Sequence, residues 1–124
     1  MTVAYWCLLV AGLLPYVWVL AAKAAPGFDN RAPRAFLENV TGWRRRALWA
    51  QYNAFEALPL FIAAVIVAHL AGVAPGRVDA LALAFIGFRI LHGLFYIADR
   101  ATLRSLAWTG GFVCILALFV SAAR

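Results

Sequence analysis

Four apolar stretches, each near the ~20 residues that a helix needs to cross a bilayer, occupy most of this chain. Val3 to Ala22 carries no charge, and Ser105 to Ala123 carries none either. Ala47 to Gly76 carries only Glu56 and His69, while Val78 to Ala98 has Asp79 at its rim and Arg89 and His92 inside. With 124 residues and 66% hydrophobic content, four spans leave no room for a soluble domain. The pattern predicts a single all-α domain over 1-124, an integral membrane four-helix bundle with helices at about 3-22, 46-72, 77-98 and 103-123. The first span lacks a basic n-region and runs long for a cleaved signal peptide, so it reads as a retained helix.

The basic residues are unevenly placed. Lys23, Arg31, Arg34, Arg44, Arg45 and Arg46 fall in the first loop and Arg100 and Arg104 in the third, which makes eight of the eleven. Arg77 and Arg124 lie at the other face, and Arg89 is intramembrane. The positive-inside rule then puts both of those loops in the cytoplasm and both termini outside. These cations flank helices instead of forming one exposed surface, which argues against nucleic acid as a partner and for contacts with anionic lipid. Cys7 and Cys114 differ in depth by roughly 9 Å at ~1.5 Å per residue, so no disulfide is expected and both read as small buried hydrophobes.

The first loop contains Pro26-Gly27, Asp29-Asn30 and Pro33, all turn formers, and Arg34 to Trp43 suits a short interfacial helix. Asn39-Val40-Thr41 matches a glycosylation sequon, which a cytoplasmic position makes irrelevant. Ala74-Pro75-Gly76 reads as a tight turn, and Asp99 to Arg104 is barely a loop.

Intramembrane charges cost at least ~2.5–3.5 kcal/mol each to insert, so Glu56 and Arg89 need a reason. Each lies about 11 residues, or ~16 Å, from the cytoplasmic end of its span. Opposite charges at one depth on antiparallel helices suggest a Glu56–Arg89 ion pair. Toward the cytoplasm the third span presents His92, Tyr96 and Arg100 on one face, and the second presents Asn53, Trp49 and Arg46. Arg104 and Ser105 open the fourth span at the same end. Such a polar funnel, closed at its floor by an ion pair, suits an anionic, hydrogen-bonding ligand. His69 has no polar companions in the sequence and reads as a packed residue. Pro59 is equally consistent with a tolerated kink and with a bend that widens the funnel. No metal-ligand set is read from the chain.

At these residues the chain resembles the MAPEG family, the membrane-associated proteins in eicosanoid and glutathione metabolism. Asn53, Glu56 and Pro59 resemble its Asn-x-x-Glu-x-x-Pro signature. Arg89, His92 and Tyr96 are similar to the Arg-x-x-His-x-x-x-Tyr pattern of its prostaglandin E synthase branch, and Arg104-Ser105 with Trp108 to the opening of its fourth helix. Small bacterial members look most similar. The resemblance implies a homotrimer in a bacterial inner membrane, with glutathione as co-substrate bound between neighbouring subunits near the cytoplasmic face. Asn53, Glu56, Arg89, His92, Tyr96, Arg100 and Arg46 would bind it, and Arg104 with Ser105 would stabilise the thiolate as the catalytic pair. Trp49 and Tyr52 stand where branches of the family carry an arginine. The interval from Tyr96 to Arg104 is one residue shorter than in the prostaglandin branch.

The function so implied is a glutathione-dependent transferase or peroxidase acting on lipophilic electrophiles. The alternative is a non-catalytic lipid-binding or scaffolding protein of the same fold. A small multidrug transporter of this length relies on a carboxylate in its first helix, and Val3 to Ala22 has none.

Overall fold

In the computed structural model, which describes every residue from Met1 to Arg124, the chain is helical throughout, with no strand. Four helices are long and apolar enough to cross a membrane: α1 (Val3–Lys23), α3 (Gly42–Leu70), α4 (Pro75–Ile97) and α5 (Ala101–Ala122). The short α2 (Pro33–Glu38) forms inside the first loop, with Pro33 in its first turn, where a missing N–H costs nothing. α3 begins at Gly42, whose φ of 63° suits glycine, so Arg44, Arg45 and Arg46 ride on its first turns. Pro15 and Pro59 lie inside helices that continue through them, as membrane helices tolerate.

The bundle is apolar on its outside. Only 29 of 124 residues are buried, while Trp6, Leu9, Leu13 and Leu20 on α1 and Leu106, Val113 and Val120 on α5 are exposed. An outer surface of this kind matches lipid and not water. Inside, small residues let the helices approach closely, as expected where lipid supplies no hydrophobic drive between helices. Ala4, Cys7 and Ala11 of α1 meet Ala64 and Ala68 of α3, with Ala82 of α4 and Cys114 of α5 in the same cluster. Both cysteines are buried and free. At the cluster's centre Phe61 and Phe85 stack with centroids 3.8 Å apart and planes 13° from parallel. α3 and α4 are central; α1 packs chiefly on α3, and α5 chiefly on α4. Trp18 of α1 fills the space over Gly93 of α4, where a β-carbon would overlap its indole carbons.

Two hairpin turns fix the relative register of the last three helices, and both use one device. After α3, Gly72 (φ 75°) reverses the chain, with the Gly72 and Val73 N–H groups donating to the His69 and Ala68 carbonyls. After α4, Asp99 (φ 59°) does the same, with Asp99 and Arg100 N–H groups donating to Tyr96 and Phe95. This is the Schellman arrangement, in which a left-handed residue satisfies the last carbonyls of a helix. The reversal after α3 therefore falls at Gly72, and the Pro75-Gly76 pair, expected as the turn itself, forms the first turn of α4.

The end of the bundle that carries the Gly72 turn is tied further. The Ala4 N–H, unpaired within α1, donates to Asp79 Oδ1 at 2.7 Å, where a carboxylate also complements the helix N-terminus. His69 is better connected than its sequence context indicated. Its Nδ1 lies 2.9 Å from the Val65 carbonyl and its Nε2 3.0 Å from Thr2 Oγ1, with Tyr5 stacked on the ring at 4.3 Å. A carbonyl only accepts, so Nδ1 carries the proton and donates. Thr2, sixty-seven positions away in the chain, is the companion that no local pattern reveals.

Candidate functional site

The polar residues of α3, α4 and the start of α5 converge at one end of the bundle. Asn53 is the hub. Arg89 is 4% exposed, and its Nη2 donates to Asn53 Oδ1 at 2.7 Å. Asn53 Nδ2 in turn donates to Glu56 Oε2 at 3.3 Å. The direct Glu56–Arg89 ion pair expected from matched depth does not form; a neutral amide stands between the charges. The reason is helical geometry: Asn53 and Glu56 share a face at i, i+3, and Arg89 meets the nearer of the two. An amide has a donor and an acceptor, so it can serve both ions, and Glu56 stays on the exposed side of the relay.

Above the relay, Asn53, His92, Tyr96, Arg104, Ser105, Trp108 and Thr109 line a cleft of about 280 Å³. The His92 ring is 3% exposed, and its Nδ1 has no hydrogen-bond partner in the chain. Tyr96 meets the His92 ring edge-on at 5.6 Å, and the Arg104 guanidinium carbon lies 4.5 Å from the Tyr96 centroid. This last contact follows from the Asp99 reversal. Two residues beyond the left-handed position α5 begins, which brings Arg104 back over the last turn of α4. The Ala101, Thr102 and Leu103 amides open the helix at this end, adding partial positive charge beside the Arg104 guanidinium.

Of the nine residues singled out in the sequence, the cleft gathers Asn53, His92, Tyr96, Arg104 and Ser105. Glu56 and Arg89 line an adjoining bay of about 180 Å³ with Ala57, Leu60, Phe85, Trp108, Gly111, Phe112 and Ile115, where Asn53 recurs. Arg46 points elsewhere: its Nε donates to the Ile97 carbonyl at 3.1 Å, closing the end of α4. Arg100, at the N-cap of α5, is exposed and outside both recesses. Arg45 stays out of the cleft as well. Its guanidinium donates to the Val40 and Glu38 carbonyls, each at 2.7 Å, and holds α2 against α3 while lying 5.9 Å from the Trp49 ring. Trp49 itself stands 6.3 Å from Tyr96.

Thr109, Gly111, Phe112 and Phe85 were not singled out. A signal existed for two of them, since Arg104, Trp108, Gly111, Phe112 and Ile115 follow helical spacing along one stripe of α5. In an apolar span such a stripe is indistinguishable from lipid-facing surface.

Fold and cleft together define a multi-pass helical membrane protein with a cation-bearing polar recess near one end of its bundle. Compared with protein-family models, the chain matches that of the MAPEG family over residues 3–124, and it belongs to that family. No curated protein matches it.

Proposed function

We propose that this protein is a membrane-bound glutathione-dependent transferase or peroxidase acting on lipophilic electrophiles. Membership of the MAPEG family supports the reading, since the family includes glutathione-using transferases as well as members without catalytic activity. The observation that carries it is the conjunction of Arg104 at the opening of α5 with a buried, unpartnered His92 Nδ1 in one cleft. A buried nitrogen without a partner costs roughly 1–3 kcal/mol, and a peptide ligand with many donors and acceptors recovers it.

Each residue has a role in this proposal. Asn53 and Glu56 take the polar ends of glutathione, with Arg89 holding Asn53 in place. His92 and Tyr96 contact the peptide from α4, while Arg100 and Arg46, outside the cleft, add only positive potential at this end of the bundle. Arg104, assisted by Ser105, holds the sulfur as thiolate. The thiolate is the nucleophile, and an adjacent cation together with a helix N-terminus lowers the pKa of a thiol. The working unit is a homotrimer whose neighbouring subunit covers the open side of the ligand. It sits in a bacterial inner membrane with the cleft toward the cytoplasm and both termini outside.

One observation favours the alternative, a lipid-binding or scaffolding role. Between α1, α2 and α3 lies a larger cleft of about 610 Å³, with Lys23 and Arg34 at one end and Tyr16, Val19, Leu48 and Phe55 along its length. The two readings part on one experiment with purified protein in detergent or nanodiscs. Glutathione at millimolar concentration should raise the melting temperature, and the protein should conjugate chlorodinitrobenzene. Arg104→Ala should lower kcat at least tenfold with a smaller change in glutathione affinity. Absence of a thermal shift, or equal turnover by wild type and variant, overturns the transferase assignment and leaves the lipid reading.

A further inference from the structure

The groove between α1, α2 and α3 runs along the outside of the bundle and shares no residue with the polar cleft or its adjoining bay. Its floor is firm. Val19, Leu37 and Leu48 belong to one buried cluster with Ala22 and Ala47, and the Arg45 bonds to the Val40 and Glu38 carbonyls latch α2 onto α3. Its two ends differ in chemistry. Lys23, in the last turn of α1, and Arg34, on α2, stand at the end beside the first loop. Toward the other end Tyr16, two turns or ~10 Å back along α1, meets Phe55 of α3 edge-on at 5.8 Å. Both rings are exposed on the apolar outer face that lipid covers. Leu48, Tyr52 and Phe55 follow helical spacing and make one continuous wall of the groove.

The cations of this region divide into two sets. The Arg44 and Arg45 guanidiniums donate to backbone carbonyls. Lys23 and Arg34 do not. The Lys23 ammonium rests 5.7 Å from the centroid of Phe28, which itself packs edge-on against Phe36, and Arg34 is exposed. Glu38 lines the same end, so two uncommitted cations face one carboxylate.

We propose that this groove is a binding site for one anionic glycerophospholipid of the surrounding bilayer, phosphatidylglycerol in type. The phosphate lies between Lys23 and Arg34, a headgroup hydroxyl donates to Glu38, and an acyl chain runs along Val19, Leu48 and Tyr52 toward Phe55. The groove's volume of about 610 Å³ is that of a small-molecule site and takes a headgroup with part of one chain. A soluble phosphate would satisfy the cations and leave the apolar length wet; a lipid fills both. The lipid is a resident of the fold and not a substrate, so the site stands whether or not the polar cleft turns glutathione over.

The test is native mass spectrometry of the full chain in neutral detergent, titrated with dioleoylphosphatidylglycerol and, for comparison, with the ethanolamine and choline lipids of the same chains. Phosphatidylglycerol should bind at one site per chain and more tightly than either. Lys23→Gln and Arg34→Gln should each weaken it about fivefold, the ~1 kcal/mol of a cation beside anionic lipid at 1.4 kcal/mol per tenfold. Arg31→Gln removes the same charge from the same loop outside the groove. In neutral detergent it meets no other anionic surface, so it should change the affinity less than twofold, and Arg34→Lys should retain most of it. Equal losses in the three Gln variants reduce the binding to general attraction toward a basic loop and overturn the site. Equal affinity for the ethanolamine or choline lipid also overturns it. So does glycerol 3-phosphate raising the melting temperature as much as phosphatidylglycerol does. Conjugation of chlorodinitrobenzene is read separately, because the groove and the polar cleft have no residue in common.

Discussion

The Asn53 relay makes a distinction that a direct ion pair would erase. If Glu56 compensated Arg89 directly, Glu56→Gln would strand a buried guanidinium, a loss of about 3–5 kcal/mol. In the observed geometry Arg89 donates to Asn53 at 2.7 Å, while Glu56 receives only the longer 3.3 Å bond from the amide. Gln at position 56 keeps an acceptor for Asn53 Nδ2 and removes a half-solvated charge, so it should cost less than about 1 kcal/mol. Asn53→Leu is the severe change, because it leaves Arg89 buried without its acceptor. A hydrogen bond to a charged group is worth about 1.5–3 kcal/mol. Measured couplings between membrane helices average ~0.6 and reach ~1.7 kcal/mol. The burial of Arg89 places this bond at the upper end of the second range, so a loss of about 2 kcal/mol is expected. Reversible unfolding of both variants in mixed micelles gives the two numbers, and an Asn53→Leu, Arg89→Met cycle isolates the coupling. Glu56→Gln matching or exceeding Asn53→Leu, or a coupling under about 0.5 kcal/mol, would refute the relay.

Two further substitutions test how the helices are held. Gly93→Ala places a β-carbon inside the Trp18 indole, which is buried and cannot retreat. Overpacking of this kind costs about 1–3 kcal/mol, more than the ~0.5–1 kcal/mol that Ala gains over Gly in a helix. Thermal unfolding should show a net loss, and adding Trp18→Leu should restore part of it; a melting temperature at or above wild type contradicts the close α1–α4 approach. Asp99→Gly should stabilise by up to about 1 kcal/mol, because the left-handed conformation at φ 59° costs a side-chain-bearing residue roughly 1–2 kcal/mol. Asp99→Val should lose a comparable amount, and indifference of the melting temperature to both changes would remove the strain argument.

The four spans and the clustering of polar residues at one end are legible in the sequence because charge in an apolar run is rare and helical spacing is regular. Asn53, His92, Tyr96, Arg104 and Ser105 could be placed together on that basis alone. Partner choice could not. Depth matching pairs Glu56 with Arg89, but it resolves position only to about one turn, and within that turn Asn53 competes and wins. Arg46 looks like a cleft residue by count, yet its guanidinium and that of Arg45 serve the orphan carbonyls of α4, of α2 and of the segment after it. Those acceptors belong to the backbone and leave no mark on residue identity. Thr2 with His69 and Trp18 with Gly93 are contacts between distant parts of the chain, which no local periodicity encodes. Asp99 gave little warning of a left-handed turn because glycine, the usual residue there, is absent.

The two Schellman turns lie at opposite ends of α4, and that placement gives the cleft a mechanical character. On the α4–α5 side the cleft sits beside its turn, so those two walls move as one jaw. On the α3–α4 side the connection is at Gly72, about 28 Å away along α3 from Asn53 at ~1.5 Å per residue. Covalently, α3 is therefore joined to α4 only at its far end, and at the cleft the Arg46–Ile97 and Asn53–Arg89 bonds hold the two together. A tilt of about 5° at Gly72 would carry Asn53 by about 2–3 Å over that length, a displacement comparable to a hydrogen-bond length. Small rotations at the Gly72 turn would thus be amplified at the opposite end of the bundle, with Asn53 as the moving tip.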